Sequence, residues 1–149
     1  MKKILVLVYS ILIISCSENE DTVTEDGSCF STGERTYKWT MVTTWPKNFP
    51  GLGMASENFS KYVDEMTCGR MQIKVYGAGE FVPALGVFDA VSQGNVQLGH
   101  GASYYWTGKV KSSQFFTAVP FGLTAQEMNG WLHYGGGMEL WEEAYAPFN

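Results

Sequence analysis

Two hydrophobic periods alternate along this chain, and the alternation constrains its fold more than any other feature. Residues 36–45 and 71–76 show the two-residue period and the β-branched and aromatic content typical of strands, and 96–100 is a third, shorter one. Helical spacing fills the gaps, over 52–69 with Gly69 as the expected C′ residue and over 83–94. The order β-α-β-α-β predicts an α/β fold with right-handed crossovers, a mainly parallel sheet and flanking helices.

The chain continues past the third strand with a different pattern. Residues 112–119 form an apolar run that we expect to be extended. Thr124 is placed to cap a helix over 125–134, and three consecutive glycines make an uninterrupted continuation costly. A further helix is expected over 138–145.

Four aromatic residues follow the predicted strands. In open parallel sheets, ligands bind beyond the carboxyl ends of the strands. Trp45 follows the first strand, and Tyr104, Tyr105 and Trp106 follow the third. Aromatic walls with hydroxyl groups suit a pocket for a small solute, so we expect at least two of the four to line one and the others to pack beneath the edge.

Catalytic and metal-binding patterns are weak. The sequence has no Gly-x-Ser-x-Gly elbow, and its two histidines, His100 and His133, lack companion metal ligands. The Gly-Ala-Gly at 77–79 lacks the Lys-Ser/Thr of a phosphate loop, so a tight turn is expected. We therefore predict no catalytic residue and no metal site in this portion.

The first 16 residues predict export. Lys2 and Lys3 precede an apolar run over 4–14, which is too short for a spanning helix of about 20 residues. The run leads to Ser15 and Cys16, a pattern similar to the cleavage and acylation site of bacterial lipoproteins. Residues 1–16 are thus interpreted as a lipoprotein signal peptide that ends at a lipidated Cys16.

Residues 17–35 are acidic and polar, and we expect a flexible tether. Acidic residues after a lipidated cysteine have a second interpretation, a signal for the outer face of the outer membrane. Loss of Lys2 and Lys3 from ten basic side chains leaves eight against fifteen acidic ones, a net charge near −7, which argues against nucleic acid as a partner. Cys29 and Cys68 could pair in an oxidising compartment or stay reduced.

Several motifs, in order, resemble a known family. The chain is similar to the solute-binding proteins of tripartite ATP-independent periplasmic (TRAP) transporters, the DctP family, and most closely to the branch that binds 2-oxo acids and related carboxylates. The likeness covers about 37–149, and its motifs are Thr-Thr-Trp-Pro at 43–46, Phe-Pro-Gly-Leu-Gly at 49–53, Tyr-Gly-Ala-Gly-Glu at 76–80, Val-Phe-Asp-Ala-Val at 87–91, Gly-His-Gly-Ala-Ser-Tyr-Tyr-Trp at 99–106 and Ala-Val-Pro-Phe-Gly at 118–122.

The resemblance implies a periplasmic-binding-protein-like receptor whose two lobes close on a small organic acid, such as pyruvate, and deliver it to an ion-gradient-driven permease. Complete members are about twice as long, so residues 36–149 would be the first lobe and the start of the inter-lobe region. We expect a truncated sequence with the second lobe largely missing, and a natural single-lobe protein is the alternative. The family's carboxylate-binding arginine belongs to that second lobe, and sodium or another cation would bridge ligand and protein in the complete receptor.

The resemblance also implies site residues and partners. Trp45, Tyr104 and Tyr105 would line the first-lobe wall of the cleft, with Glu80, Phe81 and Ser103 nearby. The protein would work in the periplasm, held to a membrane through lipid on Cys16. The resemblance does not decide between a monomer and a homodimer. The alternatives are a ligand-sensing lipoprotein of a signalling system and, less favoured, an exported enzyme.

Overall fold

The computed structural model describes residues 35–148. The predicted signal peptide, the lipidated Cys16, Cys29 and all but the last residue of the tether lie outside the described residues. Three strands form one parallel sheet in the order β2-β1-β3, which confirms the α/β prediction. The elements are β1 (Tyr37–Thr43), α1 (Leu52–Met66), β2 (Met71–Tyr76), α2 (Val87–Ser92), β3 (Leu98–His100), α3 (Ala125–Tyr134) and α4 (Gly137–Tyr145).

The central strand β1 is paired unevenly along its length. It pairs with β2 from Tyr37 to Val42, whereas β3 joins it only from Met41 to Thr43. Burial follows the pairing, because the first three residues of β1 are exposed and the last three are buried. The sheet is therefore most complete at the carboxyl ends of its strands.

A small apolar core lies where α2 crosses the sheet. Val42 packs with Val87, Ala90 and Val96, all nearly inaccessible to solvent. Gly99 of β3 allows the close approach, since a Cβ there would lie 2.8 Å from a Val91 methyl group. This contact fixes α2 against β3.

Helix α1 packs beside β2, and the Ser60 hydroxyl donates to the carbonyl of Ile73 on that edge strand. Its two buried residues are small, Gly53 and Ser56. The larger apolar side chains of the helix stay exposed, with Met66 82% accessible. The apolar stripe that predicted this helix is thus mostly uncovered by the described residues.

The end of α1 corrects one prediction. Cys68, rather than Gly69, occupies the left-handed C′ position, with φ 54°, and Gly69 follows with φ 77°. The Cys68 N–H donates to the Glu65 carbonyl and the Gly69 N–H to the Asp64 carbonyl, the two bonds of a Schellman motif.

The segment after β3 corrects another. Residues Lys111–Phe116 form a 3₁₀ helix, so the expectation of an extended run over 112–119 is wrong there. Side chains three apart share one side of a 3₁₀ helix, and Ser113 and Phe116 are its buried residues. The buried positions of this segment therefore follow a three-residue period.

The predicted cap and helix break near the C-terminus are both present. The Thr124 hydroxyl accepts the Glu127 N–H (3.4 Å), and the Glu127 carboxylate accepts the Thr124 N–H (2.8 Å), which completes a capping box and lowers the pKa of Glu127. Gly136 takes φ 84° between α3 and α4. No helix among residues 35–148 is long and apolar enough to span a membrane.

An aromatic stack joins these C-terminal helices to α2, and we define it as Phe88, Phe116, Trp131, Trp141 and Tyr145. The Phe116 ring lies nearly parallel to Trp131 (5.9 Å between centroids) and Trp141 (5.1 Å). Tyr145 continues the series, at 6.1 Å from both Trp141 and Phe88. Packing of rings therefore holds this end of the molecule together.

Candidate functional site

The loops that follow the three strands are hydrogen-bonded to one another. The Thr44 N–H donates to the His100 carbonyl (3.0 Å), which links the loops after β1 and β3. The Ala78 N–H donates to the Trp45 carbonyl (3.0 Å), which links the loops after β1 and β2. The predicted crevice edge is therefore a single surface.

Four rings line this edge, and we call them the aromatic wall: His100, Trp45, Tyr105 and Tyr104. Successive centroids lie 4.9, 6.3 and 4.6 Å apart. Both tyrosines are more than a third exposed, and Trp45 is half-buried. Rings held side by side and open to solvent can cover one face of a small ligand.

The Tyr105 hydroxyl changes the pKa of the neighbouring Tyr104 hydroxyl. Hydrogen bonding with the Tyr105 hydroxyl, and to a smaller extent desolvation, raises the pKa of Tyr104 above its usual value. The Tyr104 hydroxyl therefore stays protonated at neutral pH, and its single O–H serves either the Tyr105 oxygen or an anion.

Trp106 lies under the edge rather than on it. Its ring packs 5.6 Å from Phe88 and against the core, and its Nε1 is buried with no hydrogen-bond partner among the described residues. A Cβ on Gly101 would lie 2.8 Å from the Trp106 ring and 2.9 Å from the Thr44 methyl group. Trp106 is thus the member of the predicted quartet that supports the wall from behind.

Glu80 binds protein groups within the loops. Its carboxylate forms an ion pair with Lys47 (2.8 Å) and accepts the Gly77 N–H (2.9 Å). The Lys47 hydrogen bond, followed by that from Gly77, lowers the pKa of Glu80. We call this ion pair the loop clasp, because it ties the loop after β2 to the loop that carries Trp45. A direct contact between Glu80 and ligand stays a prediction.

The last two predicted residues differ in accessibility. Phe81 is 52% exposed, and its ring lies 5.2 Å from Tyr76. Ser103 is buried, and its hydroxyl donates to the Ser113 carbonyl (2.8 Å). Ser103 therefore fixes the loop that presents Tyr104 and Tyr105, and its role toward ligand remains a prediction.

Sequence reasoning missed two polar residues at this edge. Thr44 is 8% exposed, and its hydroxyl has no hydrogen-bond partner among residues 35–148. His100 is half-buried, with Nδ1 buried and equally unpartnered within that range, and desolvation lowers the pKa of the imidazole. Their position at the last residue of a strand, or just after it, was the available signal.

Two further features lie away from the wall. Cys68 is disulfide-bonded, and a pairing with Cys29, which is outside the described residues, stays a prediction. An open apolar groove of about 530 Å³ lies beside the aromatic stack. The described part of the chain contains no cluster of three or more histidine, cysteine or acidic residues suited to a metal ion.

Comparison with known proteins gives a consistent family. Residues 41–149 match the model of the bacterial extracellular solute-binding proteins, family 7 (DctP). A monocarboxylate 2-oxoacid-binding periplasmic protein from Nostoc is 42% identical over 137 residues, which are 92% of this chain and 36% of that protein.

Solved structures agree. A TRAP periplasmic solute-binding protein from Pseudoalteromonas atlantica with bound sodium and pyruvate is 49% identical, with a TM-score of 0.74 over 76% of this chain and 35% of that one. Another, from Colwellia psychrerythraea with bound calcium and pyruvate, is 46% identical, with the same TM-score and coverage. The chain spans about a third of the length of these relatives. It belongs to family 7 of the bacterial extracellular solute-binding proteins.

Proposed function

We propose that this chain forms the first-lobe part of a periplasmic receptor that captures a small organic acid, a 2-oxo acid such as pyruvate, for a TRAP transporter. The observation that carries the proposal is the aromatic wall at the carboxyl ends of β1 and β3 in the parallel sheet. It occurs in a chain 49% and 46% identical to two proteins with bound pyruvate.

The chemistry of the wall suits a short anion. Its rings offer apolar faces to the carbon skeleton, and the protonated Tyr104 hydroxyl offers a donor to a carboxylate or oxo oxygen. The nearby Glu80 carboxylate is paired with Lys47, so its charge is partly neutralised and repels an anionic ligand less.

Capture in this proposal needs more protein than the described residues supply. A charged partner for the ligand carboxylate would come from the remainder of the receptor, where the family resemblance places an arginine. Residues 35–148 contain no group of three or more histidine, cysteine or acidic residues suited to a metal ion.

Titration calorimetry on the full-length product of the gene tests the function. We expect heat with pyruvate or a longer 2-oxo acid, and weaker or no heat with carboxylates that lack the oxo group. Each titration is run with and without sodium and calcium, because cation-dependent affinity would identify a bridging ion. Binding of a non-acidic solute alone would contradict the proposed ligand class.

We also propose that lipid on Cys16 holds the receptor at a membrane facing the periplasm. One acyl chain binds a membrane only marginally, so stable anchoring needs more than one chain. Expression of the intact gene in a Gram-negative host should place the protein in the membrane fraction. Cys16→Ser should abolish the acyl mass and release the protein, whereas an unchanged distribution would contradict the anchor.

A further inference from the structure

His100 lies half-buried at the end of β3, and the proposed function gives its ring nitrogens no role. It is the last residue of β3, its carbonyl accepts the Thr44 N–H, and its ring packs 4.9 Å from Trp45 at an interplanar angle of 56°. The imidazole is thus fixed at the end of the aromatic wall by both main chain and side chain.

The surroundings of the ring determine where its proton lies. Nδ1 is buried and has no hydrogen-bond partner in the described part of the chain. A buried N–H without an acceptor is costlier than an unused lone pair, so Nδ1 is the nitrogen without a proton. Desolvation lowers the pKa of His100 and keeps the ring neutral, which places the single proton on Nε2.

Nδ1 is buried while the ring as a whole is half-buried, which leaves Nε2 as the ring nitrogen available to a ligand. We propose that His100 is a further ligand-contacting residue, which donates its Nε2–H to a carboxylate or oxo oxygen of the bound organic acid. This inference rests on the proposed function, since it assigns one contact to that same site. A bond to the carboxylate would be charge-assisted, and a bond to either oxygen would orient the acid against Trp45.

Three substitutions distinguish the contribution of the N–H donor to affinity from that of the aromatic ring. His100→Phe keeps an aromatic ring without an N–H, His100→Asn places an amide near Nδ1, and His100→Gln extends an amide N–H toward the position of Nε2. In calorimetry on the full-length protein with pyruvate, we expect His100→Phe and His100→Asn to weaken binding about tenfold or more, as loss of a bond to a charged group does. His100→Gln should recover most of the affinity.

His133 provides the matched control, because it is the chain's other histidine and is exposed on α3. His133→Phe should leave the affinity unchanged. Affinity of His100→Phe equal to wild type would overturn the inference and indicate a packing role for the ring. A loss in His100→Gln as large as that in His100→Phe would overturn it as well, because the restored N–H donor would then contribute no affinity.

Nitrogen-15 NMR of the wild-type imidazoles gives a test that does not depend on whether the variants fold. We expect a protonated Nε2 on His100, with its resonance shifted by pyruvate while those of His133 stay in place. A proton on Nδ1 would overturn the inference by itself. If the wild-type protein binds no carboxylate, the proposed function fails and this contact fails with it. If it binds a carboxylate, but neither the His100 resonances nor the affinities of the His100 variants change, only this contact is refuted.

Discussion

The aromatic wall and the aromatic stack use the same kinds of side chain for different ends. In the stack, Phe116 is buried between Trp131 and Trp141, and the rings hold one another in place. In the wall, Tyr104 and Tyr105 are more than a third exposed, and main-chain hydrogen bonds of Tyr105 and Trp45 hold the loops in place. Aromatic content alone therefore does not distinguish a core from a binding surface. The distinction lies in whether the rings are held by one another or by hydrogen bonds of the main chain.

The difference has an energetic consequence. Removal of a ring from the stack exposes the neighbours that depended on it, so the loss falls on folding. Removal of a group from the wall leaves the main-chain bonds intact, so the loss falls on ligand affinity. Substitutions in the two regions should therefore separate a loss of stability from a loss of affinity.

Phe116→Ala should destabilise the protein by about 3–5 kcal/mol, because Phe116 is 6% exposed and contacts two tryptophans. Thermal or denaturant unfolding measures the change. Phe115 is the adjacent control, since it is 55% exposed, and Phe115→Ala should cost less than about 1 kcal/mol. Equal losses in the two variants would show that the rings of the stack do not support one another.

Gly101→Ala should destabilise by about 1–3 kcal/mol, because its new Cβ would overlap the Trp106 ring and the Thr44 methyl group. Affinity should fall as well, since the shift would move the loop between His100 and Tyr104. Gly108→Ala is the control, because a Cβ there meets nothing within 4 Å. The stability and the ligand affinity of both variants are measured by unfolding and by titration. Equal values in the two variants would refute the close packing behind the wall.

Tyr104→Phe should leave unfolding unchanged and weaken pyruvate binding by about 1 kcal/mol, which is roughly fivefold. Only the hydroxyl is removed, and the ring contact with Tyr105 remains. Tyr134, 93% exposed on α3, supplies the control Tyr134→Phe. Unchanged affinity of Tyr104→Phe would move the ligand contacts elsewhere.

The loop clasp should produce the smallest effect, visible as a dependence on pH. The pKa of Glu80 lies below its ordinary value of 4.5, so the ionised clasp stabilises the fold above that value and loses this contribution as the pH falls through the lowered pKa. Glu80→Gln should therefore reduce stability at neutral pH, and its difference from wild type should shrink in acid. Glu139→Gln on α4 is an exposed control, and a difference that persists in acid would argue against the clasp.

Features that depend on local chemistry could be predicted from the sequence. The order of the strands and helices, the Thr124 capping box and the break at the three glycines all follow from side-chain period, hydrogen-bonding groups or backbone freedom. The meeting of Trp45 with the loop after β3 follows from the parallel sheet, because such sheets bring their carboxyl ends to one edge.

Features that depend on nonlocal contacts could not be predicted. Glu80 looked like a group available to a ligand, but Lys47, 33 residues earlier, pairs with it. Ser103 looked available as well, yet it binds a carbonyl ten residues later. His100 has no companion metal ligand near it in sequence, and Trp45, whose ring packs against it, lies far earlier in the chain. Sequence period places residues on elements, but does not show which polar groups are already satisfied.

The uneven pairing of β1 has a consequence for motion. Met41 and Val42 are paired with strands on both sides, Thr43 is paired with β3, and all three are buried. The first residues of β1 have one neighbouring strand and face solvent. Amide hydrogens at Val42 and Thr43 should therefore exchange with solvent far more slowly than those near Tyr37. The most slowly exchanging part of the sheet lies directly beneath Trp45, so the base of the wall is ordered before a ligand arrives, and little conformational entropy is lost there on capture.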